Sequence, residues 1–248
     1  MTDAEQIAQL QAELAAARAE MQAFAATVSH DLRAPLRHIT SFVQLLQNEA
    51  GPLLQGESAE FLGHITSASQ QLGGMLDALL ALSRIGTVPL QLAPVALQGV
   101  LDSLIQERQA ALRAQTPART VQWRQECADI VVLADASLLR AALAQLLDNA
   151  VKFSRGRADA AIAVRAELDA LTGQVVCTIQ DNGAGFLPEQ ASKLFKPFIR
   201  LHSVRQFEGQ GMGLAMVAKS LQRMGGQVRI AASLEGGCAV TFDLPCVS

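Results

Sequence analysis

The octapeptide Ser29-His30-Asp31-Leu32-Arg33-Ala34-Pro35-Leu36 sits inside an otherwise regular apolar pattern, and its place there decides how the first third of the chain folds. On its N-terminal side apolar residues recur at Ile7, Leu10, Leu14, Ala17, Met21, Phe24 and Val28. These steps alternate between three and four, the heptad seam of a coiled coil. The residues between them are helix formers, Thr27 excepted. A lone amphipathic helix cannot bury such a seam, so the spacing predicts a parallel dimeric coiled coil; the alternative is one helix packed on its own domain. His30 falls two positions past Val28, off the stripe, and is expected to face solvent or a docking partner. Pro35 lacks a backbone donor and is expected to kink or interrupt the helix.

Apolar spacing resumes at Leu36, Ile39, Val43 and Leu46. Asn48 to Ser58, with two Gly and a Pro, reads as a turn. A second helix follows, its seam read as Phe61, Ile65, Ala68, Leu72, Met75, Leu79 and Leu82. Two helices on a short loop make a hairpin, and two hairpins in a dimer would close a four-helix bundle. Thr87 to Pro94 breaks the helical period and marks a linker or short strand, hence a domain boundary.

The rest of the chain reads as α+β. Helices are expected near Leu97–Arg113, Ala136–Phe153 and Gly213–Met224. Strands are expected near Val121–Arg124, Ile130–Leu133, Ala161–Ala166, Val175–Gln180, Val228–Ala232 and Ala239–Leu244. Helices on one face of a largely antiparallel sheet fit this order. No repeated βαβ unit appears, which argues against a dinucleotide fold.

Composition narrows the function. The 248 residues carry 20 basic and 23 acidic side chains, a net charge of −3, so no overall field draws the chain to nucleic acid or an anionic membrane. Half the residues are hydrophobic and 17% charged, enough for a buried core. No apolar run reaches the roughly 20 residues of a membrane span. The polar N-terminus carries no signal-peptide core. Cys127, Cys177, Cys238 and Cys246 lack metal-site spacing and read as reduced cytoplasmic thiols.

Three further boxes carry chemistry. Gln145, Asn149 and Lys152 are spaced i, i+4, i+7 and share a helical face, an amide pair with a lysine suited to Mg2+ and phosphate. Asp181-Asn182-Gly183-Ala184-Gly185 closes a strand; its glycines admit a ligand to the backbone and its carboxylate can accept from an exocyclic amine. Gly209-Gln210-Gly211-Met212-Gly213-Leu214 opens a helix and offers N–H groups to phosphate. Each box alone is weak, since turns and solvated faces look the same.

Their order is specific. His-Asp-Leu-Arg-x-Pro-Leu, then Asn-Ala-x-Lys-Phe, Asp-x-Gly-x-Gly, Phe195-Lys196-Pro197-Phe198 and Gly-x-Gly-x-Gly-Leu resemble a sensor histidine kinase of two-component systems. Phe198-Ile199-Arg200-Leu201-His202 and Phe207-Glu208-Gly209 are most similar to the phytochrome-type branch. The resemblance implies a signalling coiled coil over 1–28, a dimerisation and phosphoacceptor domain over 29–87, a linker over 88–94 and an ATP-binding domain over 95–248, a two-layer sandwich of the gyrase and Hsp90 type. It implies a cytoplasmic homodimer that uses ATP and Mg2+, autophosphorylates His30 and passes the phosphoryl group to a response-regulator receiver domain, under an upstream sensor domain or sensor partner. Asp31 would orient His30 or take its proton, and Arg200 would stabilise transition-state charge. Asn149, with Gln145, would hold Mg2+. Lys152 and Phe153 would meet the nucleotide. Asp181 would bind the adenine amine, with Gly183 and Gly185 shaping its pocket. Gly209, Gly211, Gly213 and Leu214 would belong to a mobile lid, whose basic residues include Lys193, Lys196 and Arg205.

Two departures matter. Gln145 stands where the family often has Asn, and its extra methylene is expected to shift the metal site. Ala34 stands where members that dephosphorylate their partner often carry Thr or Asn, and a methyl cannot orient water. Met212 replaces a usual Leu or Ile and should be tolerated. The competing readings are a degenerate dimeric phosphotransfer or binding scaffold, and an ATPase of the same fold acting as a conformational machine.

Overall fold

The computed structural model describes residues 3–127, 129–203, 206–234 and 236–247. The chain divides into two compact units between Val88 and Pro89.

The first unit is a helical hairpin. Helix α1 spans Asp3–Ala50 and α2 spans Glu57–Thr87, joined by a 3-10 turn at Gly51–Leu53. At 1.5 Å per residue α1 is about 72 Å long. It runs unbroken through Pro35 rather than being interrupted there, and also through the expected junction at 28/29. The hairpin buries Ser29, Leu36 and Val43 of α1 and Leu62, Ser69 and Leu76 of α2, two series in steps of seven. The Arg33–Asp77 ion pair at 2.7 Å and the Gln47–Thr66 hydrogen bond at 3.2 Å fix their antiparallel register. The seam read from the sequence of α2 is therefore corrected. Phe61, Ile65 and Leu72 stay exposed, while the stripe one position on meets α1. The heptad residues Ile7, Leu10, Leu14, Met21 and Phe24 are exposed too.

The second unit is α+β. It carries β1 (Leu92–Ala96), α3 (Leu97–Arg113), β2 (Gln122–Cys127), β3 (Val131–Asp135), α4 (Ala136–Phe153), β4 (Ala161–Asp169), β5 (Gln174–Asp181), α5 (Gly213–Arg223), β6 (Val228–Ser233) and β7 (Gly237–Pro245). A five-stranded sheet is ordered β2-β4-β5-β7-β6, antiparallel except for the parallel β2–β4 pair. Strands β1 and β3 form a separate antiparallel ribbon, so Leu92–Pro94, at the end of the stretch read as a linker or short strand, belong to a strand.

Alternation drives the packing. Ile162, Val164 and Ala166 of β4, Val175, Cys177 and Ile179 of β5, and Val240, Phe242 and Leu244 of β7 point to one face. Against it pack Leu97, Leu101 and Leu104 of α3, Leu139, Leu143 and Leu147 of α4, and Val217 and Leu221 of α5. Truncating any of these leucines to Ala should cost about 2–5 kcal/mol. Helix α4, which bears the polar box, is started by Asp135, whose carboxylate accepts from the Ser137 and Leu138 amides at 3.1 Å. Among the described residues no helix is long and apolar enough to cross a membrane.

Candidate functional site

Helix α4 buries Leu139, Leu143, Leu146 and Leu147, which leaves the opposite face to Gln145, Asp148, Asn149 and Lys152. These residues line a cleft of about 510 Å3 together with Gln115, Arg119, Val151, Arg155 and Glu208. Gln145 and Asn149 are one turn apart, and Gln145 Nε2 donates to Asn149 Oδ1 at 3.2 Å. Asp148, at the cleft wall, pairs with Arg108 Nε at 3.0 Å. Lys152 Nζ lies 4.4 Å from the Phe153 ring centroid. Burial pushes its ammonium pKa down, with Glu208 pulling the other way.

Asp181 ends β5 and is only 6% exposed. Its Oδ1 accepts from the Gly183 amide at 2.8 Å. Burial pushes its carboxyl pKa up to about 6, against the pull of the Gly183 and Cys238 amides. Glycine is required at the turn that follows. A Cβ at Gly183 would stand 2.5 Å from the Phe153 carbonyl oxygen and 2.7 Å from Asp181 Oδ1. Gly185 has φ +60°, and a Cβ there would overlap the Ser233 carbonyl. Gly183 thus ties the Asp181 turn to the end of α4, the same place that carries Lys152.

Residues 199–203 and 206–211 pack on the end of α4 as a lid. Three rings hold it: Phe153, His202 and Phe207 have centroids 5.0–5.5 Å apart. A bidentate pair adds to them, Arg155 Nη1–Glu208 Oε2 at 2.9 Å and Nη2–Oε1 at 2.5 Å. The Arg200 guanidinium donates to the Gly209 carbonyl and, at 2.6 Å, to the Phe207 carbonyl. Gly209 and Gly211 take φ of +125° and +73°, and Gly213 opens α5 beneath the Gln145 side chain, where a Cβ would stand 2.5 Å from its Cδ.

The structure thus brings Gln145, Asn149, Lys152, Phe153, Gly209, Gly211 and Gly213 to one region, with Asp181, Gly183 and Gly185 at the adjoining turn. Arg200 is engaged by the lid's own backbone, Phe153 stacks on lid rings, and Leu214 packs against the core. Arg205 lies outside the described residues. Sequence reasoning missed Arg119, Arg155 and Glu208; the only local signal was a charge three residues past Lys152 and another beside Gly209.

In the first unit His30 is exposed, and its Nδ1 stands 3.1 Å from Asp31 Oδ1. Beside it Ser29 is fully buried. An exposed imidazole adjoining a carboxylate is equipped to act as a nucleophile.

The fold and these two sites define a phosphoacceptor hairpin joined to an ATPase-type sandwich. Residues 20–88 match the His Kinase A (phospho-acceptor) domain, and residues 134–248 match the histidine kinase-, DNA gyrase B- and HSP90-like ATPase family. Cyanobacterial phytochrome A of Nostoc sp. is 26% identical over 99% of this chain and 31% of its own length. The methanogenesis regulatory histidine kinase FilI of Methanothrix harundinacea is 31% identical over 94% of this chain and 25% of its own. Among solved structures, full-length ShkA in complex with AMPPNP aligns with a TM-score of 0.63 at 26% identity, covering 90% of this chain and 46% of that one. The chain belongs to the sensor histidine kinases. It spans about a third or less of the length of these curated relatives.

Proposed function

We propose that this chain is an ATP-dependent protein-histidine kinase that phosphorylates its own His30 and passes the phosphoryl group to an aspartate of a response-regulator receiver domain. The observation that carries this reading is the His30–Asp31 pair, an exposed imidazole with Nδ1 against a carboxylate, in a chain that also carries the ATPase-type cleft.

The Asp31 carboxylate accepts, so the neutral imidazole keeps its proton on Nδ1 and its lone pair on Nε2. Nε2 attacks the γ-phosphorus of ATP in line, the N–P bond forms as the bond to the β-phosphate oxygen breaks, and ADP leaves. Asp31 stabilises the positive charge that develops on the ring and takes the Nδ1 proton. At the turn adjoining the cleft Asp181 accepts from the adenine amine, and Gly183 and Gly185 let that turn pack closely on the Phe153 and Ser233 carbonyls. Lys152 contacts phosphate. Arg200 braces the lid that carries Gly209 and Gly211, and Phe153 anchors that lid.

The donor set fits Mg2+. Gln145 and Asn149 offer amide oxygens, and no cluster of three or more His, Cys, Asp or Glu side chains suited to a metal exists among the described residues. A hard cation held mainly by substrate phosphates and water needs only that much from the protein. Bound there, Mg2+ would neutralise charge on the β- and γ-phosphates.

The apolar stripes left exposed on the hairpin support a homodimer in which two hairpins form a four-helix bundle. Residues 1–28 then serve as a signalling helix fed by an upstream sensor, since α1 runs on to His30 without a break. Residues 29–87 form the phosphoacceptor domain and residues 95–248 the ATP-binding domain.

Incubation with Mg2+ and γ-labelled ATP beside a His30→Gln variant tests the reading. Acid-labile, alkali-stable label absent from the variant is the expected result. Label that survives the substitution would overturn the assignment of the acceptor.

A further inference from the structure

The cations around the cleft are not equivalent. Arg119 is committed to the fold: its Nη1 donates to the Val151 carbonyl at 2.8 Å and its Nη2 to Ser154 Oγ at 3.1 Å, which closes the C-terminal end of α4. Lys152 is half-buried beside the Phe153 ring. Arg155 alone among these three presents its guanidinium fork to a group that belongs to the lid, the Glu208 carboxylate.

Three features make that pairing exchangeable. The fork-on-carboxylate geometry is the one a guanidinium offers a phosphate. The pair is exposed, 54% for the Arg155 side chain and 63% for Glu208, so water screens it and little holds it closed. Glu208 precedes Gly209, whose positive φ places a freely turning residue at the point where the carboxylate would leave. Of the two acids lining the cleft, Asp148 is paired with Arg108 and acts on Lys152 only as the smaller attraction, while Glu208 is the carboxylate that engages Arg155 directly.

We propose that Arg155 is a phosphate-positioning residue of the nucleotide site, and that the Glu208 carboxylate is an internal anion which competes with the nucleotide's phosphates for it. Phosphate arriving at Arg155 releases Glu208 and with it the ion-pair attachment of the lid to the end of α4, so lid release is coupled to the phosphates and not to the base. This rests on the reading of the cleft as an ATP site.

The test is equilibrium binding of adenosine, ADP and ATP, with Mg2+, to the full chain and to Glu208→Gln, Arg155→Gln and the double variant. Removing the competitor is expected to tighten ADP and ATP about three- to fivefold, the worth of an exposed charge pair, with adenosine unchanged. Arg155→Gln is expected to weaken ATP about tenfold, the loss of a charge-assisted contact, again with adenosine unchanged. In the double variant the gain from Glu208→Gln should vanish. If the gain persists there, Glu208 acts only through the general field of the cleft and the competition is overturned. If Arg155→Gln leaves ATP affinity unchanged, Arg155 does not hold phosphate. Wild-type adenosine binding that is lost in Asp181→Asn, with neither change at 155 or 208 having an effect, would sink this inference and leave the ATP site standing. No adenine binding by the wild type would overturn both.

Discussion

The Gln145 side-chain amide donates to Asn149 Oδ1 at 3.2 Å, so the oxygen best placed to ligate a cation is already held by its neighbour one turn back on α4. A cation at Asn149 must turn that amide away or recruit its oxygen instead. Gln145→Asn shortens the arm by one methylene and loosens the bond. The Mg2+ concentration for half-maximal ATP binding should fall about two- to fivefold, the range of one weak hydrogen bond. Titrating Mg2+ against a fluorescent ATP analogue reads this directly. A higher Mg2+ requirement in the variant would show that the Gln145 oxygen serves as a ligand.

Asp181 carries a stability cost with a definite sign. Its folded pKa of about 6 lies above its ordinary value of 3.8, so between these pH values the folded state holds more protons than the unfolded state. Stability therefore falls as pH rises from about 4 to 6 and stays reduced above that, by at most about 3 kcal/mol. Asp181→Asn should raise the thermal midpoint at pH 7.5, and the gain should shrink as the pH falls through 6 toward 4. The same substitution should abolish adenine binding. Wild-type ATP affinity should weaken as the pH drops below 6 and the carboxyl protonates. A variant less stable than wild type at pH 7.5 would mean that the amides of Gly183 and Cys238 outweigh the desolvation.

Legibility followed locality. Helices α3 and α4 were readable to their ends, because their apolar faces repeat in step. The polar face of α4 was readable for the same reason, since one helix sets the spacing of Gln145, Asn149 and Lys152. The register of the hairpin was not. Helix α2 has apolar residues at both 61/65/72 and 62/76, and periodicity alone cannot tell which stripe meets its own chain and which awaits another. The Arg155–Glu208 pair was beyond reach as well: 53 residues separate its partners, and it exists only because the lid folds back on α4.

Gly237 is, with Gly185, among the least tolerant backbone positions near the Asp181 turn. Its φ is +76°, and a Cβ there would overlap the Asp181 carbonyl and stand 2.7 Å from Asn182 Cα, both backbone atoms that no rotamer change can move. Gly237→Ala should destabilise the unit by about 3 kcal/mol, combining the left-handed penalty with overpacking, and weaken nucleotide binding with it. Gly156→Ala, open on all sides, is the control and should leave the thermal midpoint nearly unchanged. Equal midpoints for the two variants would refute the steric account.

Ala34 lies one turn past His30 on α1 and offers only a methyl group. With no donor or acceptor there, water has nothing to orient it toward a phosphorylated partner. The wild-type chain should barely change the decay of a phosphorylated response regulator, and Ala34→Thr should accelerate it about tenfold, the scale of one positioned hydrogen bond. Strong acceleration by the wild type would remove Ala34 from the account.

The proposed dimer rests on the apolar surface that the hairpin leaves exposed. Phe42 is 71% exposed and Phe61 60% exposed, with Ile39, Leu46, Ile65 and Leu72 exposed on the same two helices, more apolar surface than a monomeric hairpin leaves to water. In the proposed dimer a second copy of the hairpin would supply the matching stripe, because a two-fold interface pairs each patch with itself. A charge placed in such a bundle core is buried unpaired and costs several kcal/mol. Phe42→Glu and Ile65→Glu should each weaken self-association at least about a hundredfold, roughly 3 kcal/mol. Sedimentation velocity at micromolar concentration should then show dimer for the wild type and monomer for either variant. The ATP-binding unit has its own core, so its nucleotide affinity should be the same in both. A wild-type chain that sediments as a monomer would mean that these stripes are covered by some other partner.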